Sequence, residues 1–210
     1  AAFRSAMAGI IPLLTLTPAE PDTFRGRQRR AGVDEVSVVD VEACAHTAVR
    51  TVEHIAREPG RMVKLSTMIV GRGVFEQDGR RADVGPGDVV VYDSHRPYSI
   101  LFEGDVHMRV ILFPYSYLDL PPATLARVTA VRFPADEGLG HVINPFLAQL
   151  GASIADLDGP HASRLVRSAL DLLVTMLSDQ VRRSHPDSGA RGDLVTQVRA
   201  WVEEHLGDPD

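Results

Sequence analysis

At 210 residues, 44% of them apolar, the chain can bury one large core or a medium domain with an appendage, and disorder is not expected. A formal net charge of −6 argues against a free-standing nucleic-acid-binding surface, because proteins that neutralise phosphates gather Lys and Arg to excess. The lone cysteine, Cys44, excludes an intrachain disulfide, fits a reducing compartment and reads as a strand-packing residue.

No run approaches the roughly 18 apolar residues of a membrane helix, and the short apolar stretch from Ala8 to Thr17, broken by Pro12, does not read as a signal peptide. Lys64 is the single lysine among 22 basic residues, the usage of a GC-rich genome.

In chain order, Phe3 to Met7 reads as the end of a helix, Ile10 to Thr17 as a strand interrupted by Pro12, and Pro18 to Asp22 as a loop. Arg25, Arg27, Arg29 and Arg30 suit a solvated edge strand better than an anion site. Val36 to Val41 and His46 to Val52 are further strands, and Glu53 to Arg61 is a polar loop turning at Pro59-Gly60. From Met62 to Phe113 the runs Val63 to Val70, Val74 to Gln77, Val89 to Tyr92, Tyr98 to Phe102 and Met108 to Phe113 follow too closely for helices between them. Asp78-Gly79 offers a tight hairpin turn, and a meander of this length removes its exposed edges by curling into a barrel.

After Pro114 the pattern turns helical. A helix begins at Pro121-Pro122, and an apolar set from Gly138 to Leu150 carries Pro145, which must kink or divide it, with Gly151 as the stop. Between His161 and Arg183 the apolar residues spread over an arc of roughly 200°, about twice the stripe a surface helix needs. Such a helix can pack on its own barrel with one flank and on a second copy with the other. Leu165, Ala169, Leu172, Leu173, Met176 and Leu177 are therefore candidate dimerisation residues, with simple burial as the plainer reading. Ser184 to Gly192 has the composition of a linker. Beyond it, Leu194, Val195, Val198, Trp201, Val202, His205 and Leu206 form one amphipathic face that a single helix cannot bury, so the chain is expected to stop inside a second domain.

The turn Gly85-Pro86-Gly87-Asp88, leading into an apolar strand, resembles the second half of the cupin signature. The His-x-His pair of metal-dependent cupins is absent, since no two of the eight histidines are separated by one residue. Glu76, His95 and His107 could meet across strands, but rim histidines are the plainer reading, and no metal, cofactor or catalytic residue is assigned. Arg109 stands in an apolar strand with Tyr92, Asp93 and Tyr98 on neighbouring ones, so it needs a carboxylate partner or an anionic ligand. An Asp93–Arg109 structural pair is the plainer alternative. Met68 and Phe75 either line a cavity or fill the core. Together Met68, Phe75, Tyr92, Asp93, Tyr98 and Arg109 are the candidate ligand-binding residues.

Phe24-Arg-Gly-Arg27, the run Gly71 to Arg80, Gly85 to Asp88, Tyr92-Asp-Ser-His-Arg-Pro-Tyr98 and Leu112-Phe-Pro114 resemble, in that order, the cupin-like regulatory domain of AraC/XylS-type transcription regulators. The closing Leu194 to Asp210 is similar to the first helix of that family's DNA-binding domain. The resemblance implies an α+β chain with a cupin-like, jelly-roll-type barrel over residues 1–120 and a helical segment with the dimerisation helix over 121–183. A linker over 184–192 and the start of a helix-turn-helix domain over 193–210 would follow. It implies a bacterial, cytoplasmic, homodimeric regulator with a possible small-molecule effector, reading operator DNA through a domain beyond residue 210, with no membrane partner. The alternative is a small metal-dependent cupin enzyme, an oxygenase or isomerase.

Overall fold

Short runs of β-branched and aromatic residues pair into two facing antiparallel sheets, as a computed structural model shows; it describes residues 14–58 and 60–184. One sheet has five strands in the order β1 (Thr15–Pro18), β4 (His46–Arg50), β9 (Tyr98–Phe102), β6 (Gly73–Gln77) and β7 (Arg80–Val84). The other has six, in the order β11 (Arg132–Phe133), β8 (Val89–Asp93), β5 (Met62–Val70), β10 (Val106–Pro114), β3 (Val36–Ala43) and β2 (Gly26–Val33). This is a cupin-like sandwich with helices on one side, the expected α+β class. The segments assigned by sequence to Phe3 to Met7, and to the linker and terminal helix after Ser184, lie outside the described residues.

Side chains alternate along each strand, so the strands β3, β5, β8 and β10 of the six-stranded sheet serve two cores. Val39, Val90, Val110 and Leu112 point into the sandwich, where they meet Ala48, Phe75, Ile100 and Phe102 of the opposite sheet. Val38, Leu65, Val91, Ile111 and Phe113 point outward into a second core. That core is closed by α2 (Pro122–Val128), α3 (Gly138–Ser153) and α4 (Gly159–Ser184) through Leu125, Leu147, Leu150, Leu170, Leu173 and Leu177.

Several expectations change. Asp78 and Gly79 do make the hairpin turn, with φ of 56° and 73°, but they join β6 to β7, a strand hidden in the sequence by Arg80, Arg81 and Asp83. Only Ala82 and Val84 of that strand are buried apolar residues. The polar loop after β4 contains a short helix, α1 (Val52–Ala56). Thr51 caps it in a reciprocal box, its hydroxyl accepting from the His54 N–H while the His54 ring accepts from the Thr51 N–H at 3.1 Å. Pro145 does not divide α3, and Gly151 does not stop it. Gly151 is buried within the helix, where an added Cβ would lie 2.5 Å from Arg109 Cδ, so the glycine makes room for that side chain. The arginines of β2 lie exposed on an edge strand, as read from the sequence.

Candidate ligand site in the sandwich interior

At one end of the sandwich the inward-facing residues become polar. Arg50, Tyr98 and Gln77 lie side by side across β4, β9 and β6. Opposite them, Lys64 and Tyr92 are cross-strand neighbours on β5 and β8. The sheets are joined there by Lys64 Nζ, which donates to Tyr98 Oη at 2.6 Å. Ser66 Oγ and Tyr92 Oη share a hydrogen bond of 2.9 Å, and Gln77 spans the β8 backbone, its Nε2 donating to the Asp93 carbonyl and its Oε1 accepting from the Asp93 N–H, both at 2.8 Å. Arg50 is 1% exposed; its Nε donates to the Ser94 carbonyl at 2.6 Å and its guanidinium pairs with Glu58 at 2.9 Å.

The aromatic rings run inward from this polar end. Tyr98 and Tyr92 stand edge to face at 4.8 Å, Tyr92 meets Phe75 at 5.6 Å, Phe75 meets Phe102 at 6.2 Å, and Phe102 meets His46 at 4.8 Å. Burial pushes both tyrosine phenols above their ordinary range, so they remain protonated donors. Burial also lowers His46, against a smaller upward pull from its hydrogen bond with the Cys44 carbonyl. Lys64 is held well below the ordinary lysine range, chiefly by desolvation and then by the charge of Arg50, with Glu58 pulling the other way.

On the outer side of the five-stranded sheet an open groove of about 620 Å³ runs past this end, lined by Val49, Glu76, Arg81 and Ser99 and bordered by Arg50, Gln77 and Tyr98; Lys64, Ser66 and Tyr92 do not line it. The void between the sheet and the helices is only about 20 Å³ and lined by aliphatic and aromatic residues alone. It can hold no drug-sized molecule.

Of the residues singled out by sequence, Met68, Phe75, Tyr92 and Tyr98 do share the sandwich interior. Asp93 and Arg109 do not belong with them, nor do they pair with each other. Both side chains point to the helix-covered face, where Asp93 accepts from Arg61 at 2.6 Å, while Arg109 is held by Asp40 at 3.1 Å and by the Ala148 carbonyl of α3 at 3.0 Å. Asp88, the last residue of the cupin-like turn, is a tie. Its carboxylate accepts from the Gly85 N–H at 2.9 Å, Arg132 Nε at 2.7 Å and the Ala135 N–H at 3.2 Å. Glu76 faces Arg81 and Ser99 on the sheet's outer side, His95 follows β8, and His107 meets Asp40. Among the described residues no three His, Cys, Asp or Glu side chains gather as a metal site.

Sequence reasoning missed Arg50, Lys64, Ser66 and Gln77. The signal for Lys64 was its place two residues before Ser66 and four before Met68, which puts all three on one strand face. Of the six candidate dimerisation residues, Ala169, Leu173, Met176 and Leu177 are buried in the protomer's own helix-covered core, whereas Leu165 and Leu172 are more than a third exposed.

A family model described as the AraC-binding-like domain matches residues 3–178. The chain belongs to the AraC-binding-like domain family. It is thus the regulatory part of an AraC-type regulator, with the cupin-like sandwich and trailing helices that the resemblance implied. This AraC-binding-like chain is 28% identical to "Uncharacterized protein in nit 5'region" from Bacillus sp. (strain OxB-1), across 99% of the chain and 81% of that protein. It is 26% identical to the transcriptional activator NphR of a Rhodococcus species, across 84% of the chain and 53% of NphR. In fold it is similar to the AraC-like transcriptional activator CuxR, with a TM-score of 0.74 at 18% identity over 84% of the chain and 65% of CuxR. The chain therefore spans about half the length of NphR and just under two thirds of CuxR.

Proposed function

We propose that this AraC-binding-like domain senses a small molecule in the polar end of its sandwich and passes the result to DNA-reading helices beyond residue 210. The observation that carries the reading is the rung of Arg50, Tyr98, Lys64, Tyr92 and Ser66. Buried polar groups on this scale cost stability unless fully satisfied, and the aliphatic core shows that the fold can dispense with them. A groove on the outer side of the five-stranded sheet borders the rung at Arg50 and Tyr98.

The division that fits this role is a barrel over residues 1–120, helices over 121–183, a linker over 184–192 and the start of a helix-turn-helix domain over 193–210. Dimerisation uses the outward flank of α4, at Leu165 and Leu172, since its other candidates are already covered. Ligand shifts a population: it favours the arrangement of helices and linker in which it binds more tightly. The setting that suits such a regulator is the bacterial cytoplasm. A metal-dependent cupin enzyme is disfavoured by the separation of Glu76, His95 and His107 onto different surfaces. Thermal melting across a metabolite panel tests the reading. Selective stabilisation by a few related compounds, abolished in Tyr98→Phe, supports sensing, because a ligand that binds only the native state raises apparent stability. A flat panel contradicts it.

A further inference from the structure

We infer that the β6–β7 turn is a latch through which the state of the polar rung reaches the helical layer. The inference rests on the sensing role proposed above and names the route by which the sandwich reports to the helices.

The helices cover one face of the six-stranded sheet, and the five-stranded sheet faces the other. The β6–β7 turn bridges this separation. Arg80 begins β7, and its Nε donates to the Thr129 carbonyl at 2.7 Å while Nη2 donates to the Ala126 carbonyl and to Thr129 Oγ1. Those carbonyls lie at the C-terminal end of α2, where the last turn lacks intrahelical donors, so a guanidinium there satisfies the helix end and suits its dipole. Thr129, fully buried, donates its hydroxyl to Asp78 at 2.8 Å.

The same turn grips the backbone beside the rung. Gln77, next to Asp78, is the cross-strand neighbour of Tyr98 on one side and of Arg80 on the other. Its Nε2 donates to the Asp93, Arg96 and Pro97 carbonyls at 2.8, 3.2 and 3.3 Å, and its Oε1 accepts from the Asp93 N–H at 2.8 Å. Arg96 in turn pairs with Asp78 at 2.7 Å. Tyr98 follows directly on the segment that Gln77 holds, so a change in the Lys64–Tyr98 bond shifts the carbonyls that fix Gln77. Gln77 is one residue from the carboxylate bound to Thr129.

Two residues of the latch favour release. Asp78 and Ala130 both stand in the left-handed region, with φ of 56° and 50°. A residue with a Cβ holds that conformation only where surrounding contacts impose it. Ala130 is buried, and its N–H donates at 2.9 Å to the carbonyl of Val91, the neighbour of Tyr92 in the rung. The latch therefore has a held arrangement and, once Arg80 or Asp78 lets go, a relaxed one. Such a two-state element is what coupling between separate sites requires.

Amide hydrogen exchange of the chain tests this without a ligand. The Asp93 N–H reports at the rung, the Ala130 N–H at the helices, and the amides of α4 serve as the internal reference. Arg80→Met should speed exchange of Ala130 and of the last turn of α2 by about tenfold or more relative to α4, and that of Asp93 by about threefold. Tyr98→Phe should move Asp93 most and Ala130 by about threefold. In the double variant the effect on Ala130 should be smaller than the product of the two, since a latch already released cannot be released again. Arg80→Lys keeps the charge without the fork that holds two carbonyls; it should act as a weaker Arg80→Met and serves where that variant does not fold. Arg109→Met, which frees the Ala148 carbonyl of α3 instead, should leave Asp93 and Ala130 unchanged. Substitutions that each loosen only their own end, effects that multiply independently, or an equal response to Arg109→Met would overturn the latch. If that happens while the metabolite panel shows selective stabilisation, the sandwich still senses and only this inference fails. If the coupling holds and the panel is flat, the latch stands and the sensing reading fails.

Discussion

The six-stranded sheet packs against two different partners. On its helix-covered face Val38, Leu65, Val91, Ile111 and Phe113 meet leucines of α2, α3 and α4, and the centre of the contact is carbon throughout. On its inner face Lys64, Ser66 and Tyr92 interrupt the valines and meet Arg50, Gln77 and Tyr98 from the other sheet. The same strands build both, one residue apart. The difference is one of arrangement: on the outward face Asp93 and Arg109 are each tied in an ion pair around an apolar centre, whereas the inner end gathers Lys64, Tyr92, Tyr98 and Arg50 into one cluster. The helix-covered core is expected to carry most of the stability, and the polar inner end is proposed to serve ligand binding.

That contrast can be broken most sharply in the outer layer. Phe113→Ala, at a fully buried position, is expected to cost about 3–5 kcal/mol in urea unfolding. Asp88→Ala strands the Gly85 and Ala135 N–H groups and Arg132, which join the sheet to the helical side, and should cost about 2 kcal/mol by the same measurement. Tyr98→Phe removes the acceptor of the Lys64 bond, at about 1 kcal/mol, and should abolish ligand-induced stabilisation. A large cost there with ligand response intact would make the inner rung a structural device.

Acid sharpens the comparison further. His46 packs between Phe24 and Phe102 with its pKa lowered by burial. The unfolded chain thus binds a proton at this site before the folded chain does. The stability involved is fully present above the ordinary histidine value of about 6.5 and lost as pH falls through the depressed folded value. His46→Phe should flatten this part of the acid limb in pH-dependent unfolding. The smallest effect on the fold is expected from Leu172→Glu, on the exposed flank of α4: within about 0.5 kcal/mol. Sedimentation should nonetheless show a monomer if that flank meets a second copy.

The strands of the sandwich were readable from β-branched periodicity, and the Asp78-Gly79 turn from its residue types. β7 was not, because three charged residues in five mask a strand with one face in solvent. α1 escaped because its capping box uses His54 where Glu or Gln would mark the start of a helix. The Asp93–Arg109 pairing failed on register. Asp93 stands level with Val63 and Arg109 level with Thr67, four residues apart along β5, which is about 13 Å, and on strands two places apart. Adjacency in sequence pattern does not contain that offset. Two members of the polar rung, Tyr92 and Tyr98, were visible. Arg50 and Lys64 were hidden because a basic residue in a strand is ordinarily solvated, and only the closure of two sheets over it makes it a site.

The most direct test is the unfolding free energy of Lys64→Met against pH, with ligand-dependent melting of the same variant alongside. The folded chain gives up the Lys64 proton at a pH where the unfolded chain still holds it, so the parent should gain stability as pH rises from the depressed value toward about 10.4. Lys64→Met should be at least as stable as the parent, with its advantage greatest at the low end of that window, and should lose the ligand response. A variant that is strongly destabilised yet still stabilised by ligand like the parent would contradict the division between a core that holds the fold and an interior that reads a signal.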